Sequence, residues 1–91
     1  MQKSFHVQPY PLWALWSHES EVEYLGRVVG WVSLLGGGKD PDWTYPVVYL
    51  ADTGTTENLH SEEYDLFDRP ELVIERNGWT AEQVVKGAKR T

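Results

Sequence analysis

The chain has 91 residues, a formal net charge of −6 and no cysteine. This length suits a single domain, and the lack of cysteine excludes a disulfide framework, a thiolate metal site and a thiol nucleophile. No apolar run reaches the roughly 20 residues that span a bilayer, and the N-terminus lacks the apolar core of an export signal, so we expect a cytoplasmic protein.

The first predicted element is an N-terminal arm or edge strand over residues 1–17. Phe5 and Val7 alternate with polar residues, as in a half-exposed strand. Pro9 and Pro11 favour an edge over a central strand, because proline donates no backbone hydrogen bond. The arm either packs on the rest of the domain or supports a homodimer, since an unpaired strand edge invites pairing.

A long strand is predicted over residues 21–35. Its even positions are apolar or glycine throughout, from Val22 to Leu34, whereas its odd positions begin polar and become apolar halfway along. The strand therefore passes from half-buried to fully buried, which requires the sheet to bend. Gly26 and Gly30 are the expected bend positions, because glycine often marks bulges and tight corners.

A glycine-rich connection over residues 35–42 leads to a returning strand predicted over residues 45–50. A short hairpin turn follows at residues 52–55, where Gly54 is free to adopt a positive φ. Residues 55–60 are the next predicted strand.

Residues 61–68 are predicted to form a short turn or 3₁₀ segment that places Tyr64 and either Leu66 or Phe67 inward. Residues 71–76 would, as an extended chain, alternate sides with Leu72 and Ile74 together on one of them, before an Asn-Gly turn. This alternation predicts a further strand.

A helix over about residues 80–90 is the most clearly specified element. Thr80 is a suitable N-cap, Gln83 completes a capping box, and Trp79 is placed to pack against Val84. An apolar stripe at helical spacing predicts that the helix docks on the sheet. The stripe consists of Ala81, Val84, Val85 and Ala88.

Three segments carry the pattern of a small barrel: residues 25–31 (LGRVVGW), 46–50 (PVVYL) and 63–67 (EYDLF). Together they resemble a Src-homology-three-like or Tudor-like small β-barrel over residues 21–76. The expected fold is mainly β: a small antiparallel, strongly bent sheet or a five-stranded barrel, with the helix docked on it, in one domain over residues 1–91. The size, acidity and tryptophan content are also similar to those of small bacteriophage accessory proteins.

Aromatic side chains lie on the elements that would surround one end of such a barrel: Trp31, Trp43, Tyr45, Tyr49 and Tyr64. With Asp40, Asp42 or Asp65 beside them, their ring faces would attract an ammonium group. The resemblance implies a groove for peptides or methylated side chains. The alternative interpretation is that the rings fill the core, and Trp43, in a polar stretch, is the ring least suited to that role.

Metal, phosphate and acyl-transfer motifs have little support. His60 with Glu63, and His18 beside Glu19, lack a recognised ligand spacing. The loop at residues 36–39 lacks the Gly-Lys-Ser/Thr ending of a phosphate loop, and no nucleophile elbow is present. We therefore expect no enzyme, no metal and no cofactor.

The sequence favours a non-enzymatic protein-binding accessory module, monomeric or an edge-strand homodimer. Its aromatic-acidic surface, from residues 40–49 and 62–67, would bind a protein with a basic surface. One alternative is nucleic-acid binding through the basic residues after position 85, or mimicry of nucleic acid by the acidic body. Another is an enzyme or a small-ligand sensor that uses His60 with Glu63 or Asp65.

Overall fold

The computed structural model describes residues 2–18, 22–36, 42–60 and 63–90. Within these ranges the chain forms seven strands and two short helices. In chain order they are β1 Gln2–Val7, β2 Trp13–His18, β3 Val22–Leu35, β4 Trp43–Leu50, β5 Thr55–Asn58, β6 Tyr64–Phe67, α1 Glu71–Asn77, α2 Ala81–Lys86 and β7 Ala88–Arg90.

All the strands belong to one antiparallel sheet with β3 at its centre. β2 and β1 pair with the two halves of one edge of β3, and β7 and β4 pair with the two halves of the other edge. β6 then pairs with β2, and β5 with β4. In the described pairings β5 and β6 stay at opposite ends of the sheet order, so the predicted mainly β, antiparallel fold is confirmed as an open sheet and not a closed barrel.

The register of β3 against β4 changes in the middle of β3. Val28 pairs with Val48, whereas Gly30 pairs with Val47. Because adjacent residues of a strand face opposite sides of the sheet, Val28 and Gly30 also face opposite sides. Val29 is the extra residue of this β-bulge, and a bulge bends the strand that carries it.

The bulge overturns one expectation about β3. We expected the even positions of residues 21–35 to share one face, but the residues from Gly30 onward have exchanged faces. Val32 and Leu34 therefore lie on the same face as Leu25. A one-residue insertion reverses every side chain beyond it.

One face of the sheet, called the inner face, is the concave side and holds a buried cluster. Trp16 of β2 and Leu59, just after β5, belong to this same cluster although β3 and β4 separate their strands. The sheet must therefore curl to bring them together, as expected for a strongly bent sheet. The cluster consists of Leu12, Ala14, Trp16, Val28, Val48, Leu50 and Leu59.

The opposite, outer face is covered by the two helices over the first half of β3. Val73 of α1 is fully buried, and Trp79 between the helices is 2% exposed. They pack in one cluster with Leu15, Leu25 and Phe67 of the sheet. The two short helices derive their stability from this contact, because helices of this length are marginal alone.

Residues 71–76 form α1, so the strand predicted there is wrong. Pro70 has φ −66° and ψ −23°, which suits the start of a helix, and Gly78 ends the helix in a left-handed conformation with φ 71°. Glu71 in the first turn and Arg76 in the last turn complement the helix dipole. These terminal signals outweigh the short pattern that would place Leu72 and Ile74 on one side of a strand.

The capping box of α2 forms as predicted, with Gln83 N donating to Thr80 Oγ1 at 3.2 Å and Thr80 N donating to Gln83 Oε1 at 2.8 Å. The helix is shorter than expected because Gly87, at φ 80°, ends it. The following residues form β7 against β3. Of the predicted apolar stripe, Val84 packs on the outer cluster, whereas Val85 is exposed.

Two further segments differ from their predictions: the N-terminal arm over residues 1–17 and the turn over residues 61–68. β2 lies between β3 and β6, so it is an internal strand, while Pro9 and Pro11 fall in the connection before it. β6 replaces the predicted turn or 3₁₀ segment, with Phe67 buried and Leu66 exposed. Residues 61–62 of that segment lie outside the described residues. The hairpin turn before β5 holds Gly54 at φ 69°, as expected.

Candidate protein-interaction surface

The outer face of the sheet is uncovered by helices beyond the bulge. There the pairing of β1, β3 and β4 aligns Phe5, Val32 and Tyr45 in one row across the strands. In the buried cluster beneath the helices, β3 is represented only by Leu25, which lies in the first half of the strand. We call this uncovered part of the outer face, formed by β1, the second half of β3 and the first half of β4, the distal face.

Three rings meet on the distal face, and we call them the aromatic cluster. The ring centroids of Trp43 and Tyr45 lie 6.3 Å apart, and the ring of His60 lies 6.0 Å from Trp43 and 5.6 Å from Tyr45. All three pairs have edge-to-face geometry, which aromatic quadrupoles favour. Tyr45 is 6% exposed and Trp43 is 50% exposed, so a buried ring supports an accessible one.

The β4–β5 hairpin places His60 in this cluster. Leu50 pairs with Thr55 and Val47 with Asn58, across the turn at residues 51–54. Continuing this register places His60 opposite Tyr45, and the backbone N–H of Leu59 donates to Pro46 O at 3.0 Å just before it. His60 therefore joins the aromatic cluster, a position that we did not predict for it.

Asp42 directly precedes Trp43, at the end of the β3–β4 connection. The side chain is exposed, and its Oδ1 accepts a hydrogen bond from the backbone N–H of Gly36 at 3.2 Å. This contact joins the two ends of the β3–β4 connection. Asp40, the other acidic residue predicted there, lies outside the described residues, and Asp65 lies on β6 opposite Leu15.

The remaining predicted rings lie elsewhere. Trp31 faces the inner side, where its Nε1 donates to Gln8 Oε1 at 2.7 Å. Tyr64 pairs with Trp16 and packs against the inner cluster. Tyr49 is exposed on the outer face at the other end of β4. The structure thus brings two of the five predicted rings together, Trp43 and Tyr45.

At the sheet edge, beyond the buried Val32, the distal face exposes another ring. Phe5 lies two strands from Tyr45, is largely exposed, and rests on the backbone of Gly30. A Cβ added at Gly30 would lie 2.2 Å from Cζ of Phe5, so glycine is needed for this close approach. The distal face thus exposes apolar side chains on both sides, at Trp43 and at Phe5, with the buried Tyr45 and Val32 between them.

The inner face carries a separate cavity of about 250 Å³ beside β5. The stacked rings of Trp16 and Tyr24, with centroids 5.7 Å apart, form one wall. Glu57 is the acidic residue among the lining side chains, which also include Leu50, Thr55 and Asn58. We did not predict this cavity, because it depends on the curl of the sheet.

Among the described residues, no group of three or more His, Cys, Asp and Glu side chains is placed to hold a metal ion. Neither α1 nor α2 is long and apolar enough to cross a membrane. In the basic C-terminal segment, Lys86 forms an ion pair with Glu82 at 3.2 Å, and the backbone of Ala88–Arg90 pairs with β3.

Comparisons of the chain with protein-family models, with curated proteins and with solved structures find no match.

Proposed function

We propose that the chain is a non-enzymatic protein-binding module that uses the distal face to bind a partner protein with a basic surface. The half-exposed indole of Trp43, held on the rings of Tyr45 and His60, carries the proposal. Tryptophan is enriched among the residues that dominate binding energy at protein interfaces. The partner would cover Trp43 and its apolar neighbours.

The surroundings of Trp43 support an anchoring role. Its two ring contacts restrict the indole before binding, so little side-chain entropy is lost when a partner covers it. The row of Tyr45, Val32 and Phe5 provides an apolar floor that continues to the sheet edge. A partner chain lying across these strands would exclude water from the indole.

Charge favours a basic partner. The chain carries a net charge of −6, and the exposed carboxylate of Asp42 directly precedes Trp43 in the sequence. Complementary charge accelerates encounter and selects partners more than it raises affinity. Lys3 of β1 also lies on the distal face, two strands away from Trp43. Its positive charge confines the acidic part of this face to the side of β4.

The Trp43→Ala variant is expected to weaken partner binding at least about tenfold while costing about 1–2 kcal/mol of stability. The matched control is Tyr10→Ala, because Tyr10 is an aromatic residue 60% exposed outside the distal face. The immobilised chain and both variants are used to capture proteins from lysate, with mass spectrometry and thermal melting as readouts. Proteins enriched by the wild-type chain and by Tyr10→Ala, but not by Trp43→Ala, support the proposal. Equal capture by all three chains contradicts it.

The Asp42→Asn variant tests the charge separately, because asparagine retains the oxygen that accepts the Gly36 N–H. We expect capture to weaken by a few-fold at low salt and to converge with that of the wild-type chain at high salt, where exposed charges are screened. Capture that is insensitive to both the substitution and the salt would argue against a basic partner.

A second candidate function is binding of a small organic cation in the inner cavity, favoured by the Trp16–Tyr24 stack together with Glu57. Aromatic faces and a carboxylate suit quaternary ammonium ions. A thermal-shift screen with choline and related ammonium ions tests it, because a ligand that binds the folded state raises the melting temperature. An unchanged melting temperature across the screen would exclude this candidate.

The nucleic-acid alternative stays a prediction from the sequence.

A further inference from the structure

The free edge of β1 presents backbone groups in a regular spacing. The backbone N–H of Gln8 donates to Val29 O at 3.1 Å, and the carbonyl oxygen of His6 faces Gly30. In an antiparallel pair, hydrogen-bonding groups point alternately toward and away from the partner strand. The N–H and C=O groups of Lys3, Phe5 and Val7 therefore point away from β3, toward the outer edge of the sheet.

Nothing among the described residues covers this edge. Among these residues β1 pairs with β3 alone, and no backbone hydrogen bond there involves Lys3, Phe5 or Val7 on the outer side. Val7 is 74% exposed. Free edges of this length are usually blocked by proline, by a bulge or by charged side chains, and β1 carries one charged residue, Lys3, and no proline.

The other free edges of the described sheet are protected. β5 and β6 are each four residues long and carry Glu57 and Asp65, so in an acidic chain they repel a second copy. β7 is only three residues long. β1 has six residues and no carboxylate, which makes it the edge at which two acidic chains can approach.

From this geometry we infer that β1 is a homodimerisation edge, at which β1 of a second copy adds in antiparallel orientation about a two-fold axis. The axis passes beside Phe5, so that Phe5 faces its own copy and Lys3 faces Val7 of the second copy. In this register all the outward backbone groups meet one another and form about six hydrogen bonds. The register in which Lys3 faces its own copy is disfavoured, because like charges directly opposite each other repel.

The dimer makes the distal faces of two chains continuous. The row of Tyr45, Val32 and Phe5 continues into the same row of the second copy, in reverse order. At a strand spacing of about 4.8 Å, the two β4 strands lie roughly 24 Å apart on one sheet. The inference goes beyond the proposed partner binding and does not depend on it, because β1 pairing involves neither Trp43 nor Asp42.

The test uses substitutions at Val7, whose exposed side chain contributes little to the fold. Val7→Pro removes an outward N–H and leaves the hydrogen bonds to β3 in place, whereas Val7→Thr keeps both the N–H and the branched side chain. We expect sedimentation equilibrium to show a wild-type dimer. Val7→Pro should raise its dissociation constant at least about tenfold, because the two-fold axis removes two hydrogen bonds with one substitution. Val7→Thr should leave the dimer unchanged.

Two charge variants test the register. Val7→Lys places a like charge opposite Lys3 of the second copy and should weaken the dimer, whereas Val7→Glu places an opposite charge there and should tighten it about twofold or more. Circular dichroism and melting confirm that each variant folds. A monomeric wild-type chain would overturn the inference, and so would equal effects of Val7→Lys and Val7→Glu. Loss of partner capture by Val7→Pro from a monomeric chain would instead assign β1 to strand addition by the partner. Trp43→Ala should leave the dimer intact, so this test and the test of the proposed function fail independently.

Discussion

Replacing Trp79 with alanine lowers the free energy of unfolding by about 3–5 kcal/mol, the range measured when a buried tryptophan or phenylalanine is truncated. Trp79 lies between the two helices, is 2% exposed, and packs in the outer cluster with Val73, Leu25 and Phe67. The truncation opens a cavity at the position where both helices meet the sheet. A domain of this size is stable by about 5–15 kcal/mol in total, so the loss is a large share.

Denaturant unfolding with linear extrapolation measures this change. Trp79→Phe is the matched variant, because the indole Nε1 is buried and has no hydrogen-bond acceptor among the described residues. Removal of that N–H therefore breaks no hydrogen bond, and we expect the phenylalanine variant to retain most of the stability. A Trp79→Ala variant no less stable than Trp43→Ala would contradict the assignment of Trp79 to the core.

Replacing Gly87 with alanine is expected to lower the free energy of unfolding by about 2–5 kcal/mol. A left-handed backbone costs a residue with a Cβ about 1–2 kcal/mol, and Gly87 has φ 80°. The added Cβ would also lie 2.7 Å from the carbonyl oxygen of Leu25. Overpacking of this kind costs roughly 1–3 kcal/mol. The backbone N–H of Leu25 donates to Gly87 O at 2.8 Å, so the clash separates the end of α2 from β3.

Gly54→Ala is the matched control for Gly87→Ala. Gly54 has φ 69°, close to that of Gly87, but the nearest atom to its added Cβ is Tyr49 Oη at 3.9 Å. The control carries the backbone strain without the clash, and we expect it to cost about 1 kcal/mol. Denaturant unfolding compares the two variants. Equal losses would show that the contact between Gly87 and β3 contributes nothing.

The strands around the glycine-rich connection were predictable because their signals are local. β-Branched and aromatic residues mark β3 and β4, and Gly54 marks the hairpin turn between β4 and β5. The capping box at Thr80 likewise depends on residues three positions apart. The strand predicted over residues 71–76 was wrong because three adjacent apolar residues fit both the two-residue repeat of a strand and the 3.6-residue repeat of a helix. The informative residues, Pro70 and Gly78, lie outside that segment.

The faces of the sheet were harder to predict because they depend on pairing between strands. The bulge at Val29 reverses the side chains beyond it, and nothing in the alternation of β3 fixes its position. The sequence suggests His60 only as a weak metal ligand or as part of a ligand sensor, whereas the hairpin register places it on Tyr45. Counting outward from the turn at residues 51–54 would have paired positions 45 and 60. The exposure of Trp43 agrees with the polar residues around it in the sequence.

The most direct test of the interaction surface is a two-dimensional ¹H–¹⁵N spectrum of the indole N–H groups, recorded while a captured partner is added. Each tryptophan contributes one indole signal, and Trp43→Phe assigns that of Trp43. We expect the Trp43 signal to shift or broaden first, while those of the buried Trp16 and Trp79 stay unchanged. A bound partner that leaves the Trp43 signal in place, or that shifts only the inner-face indole of Trp31, would contradict the proposed surface.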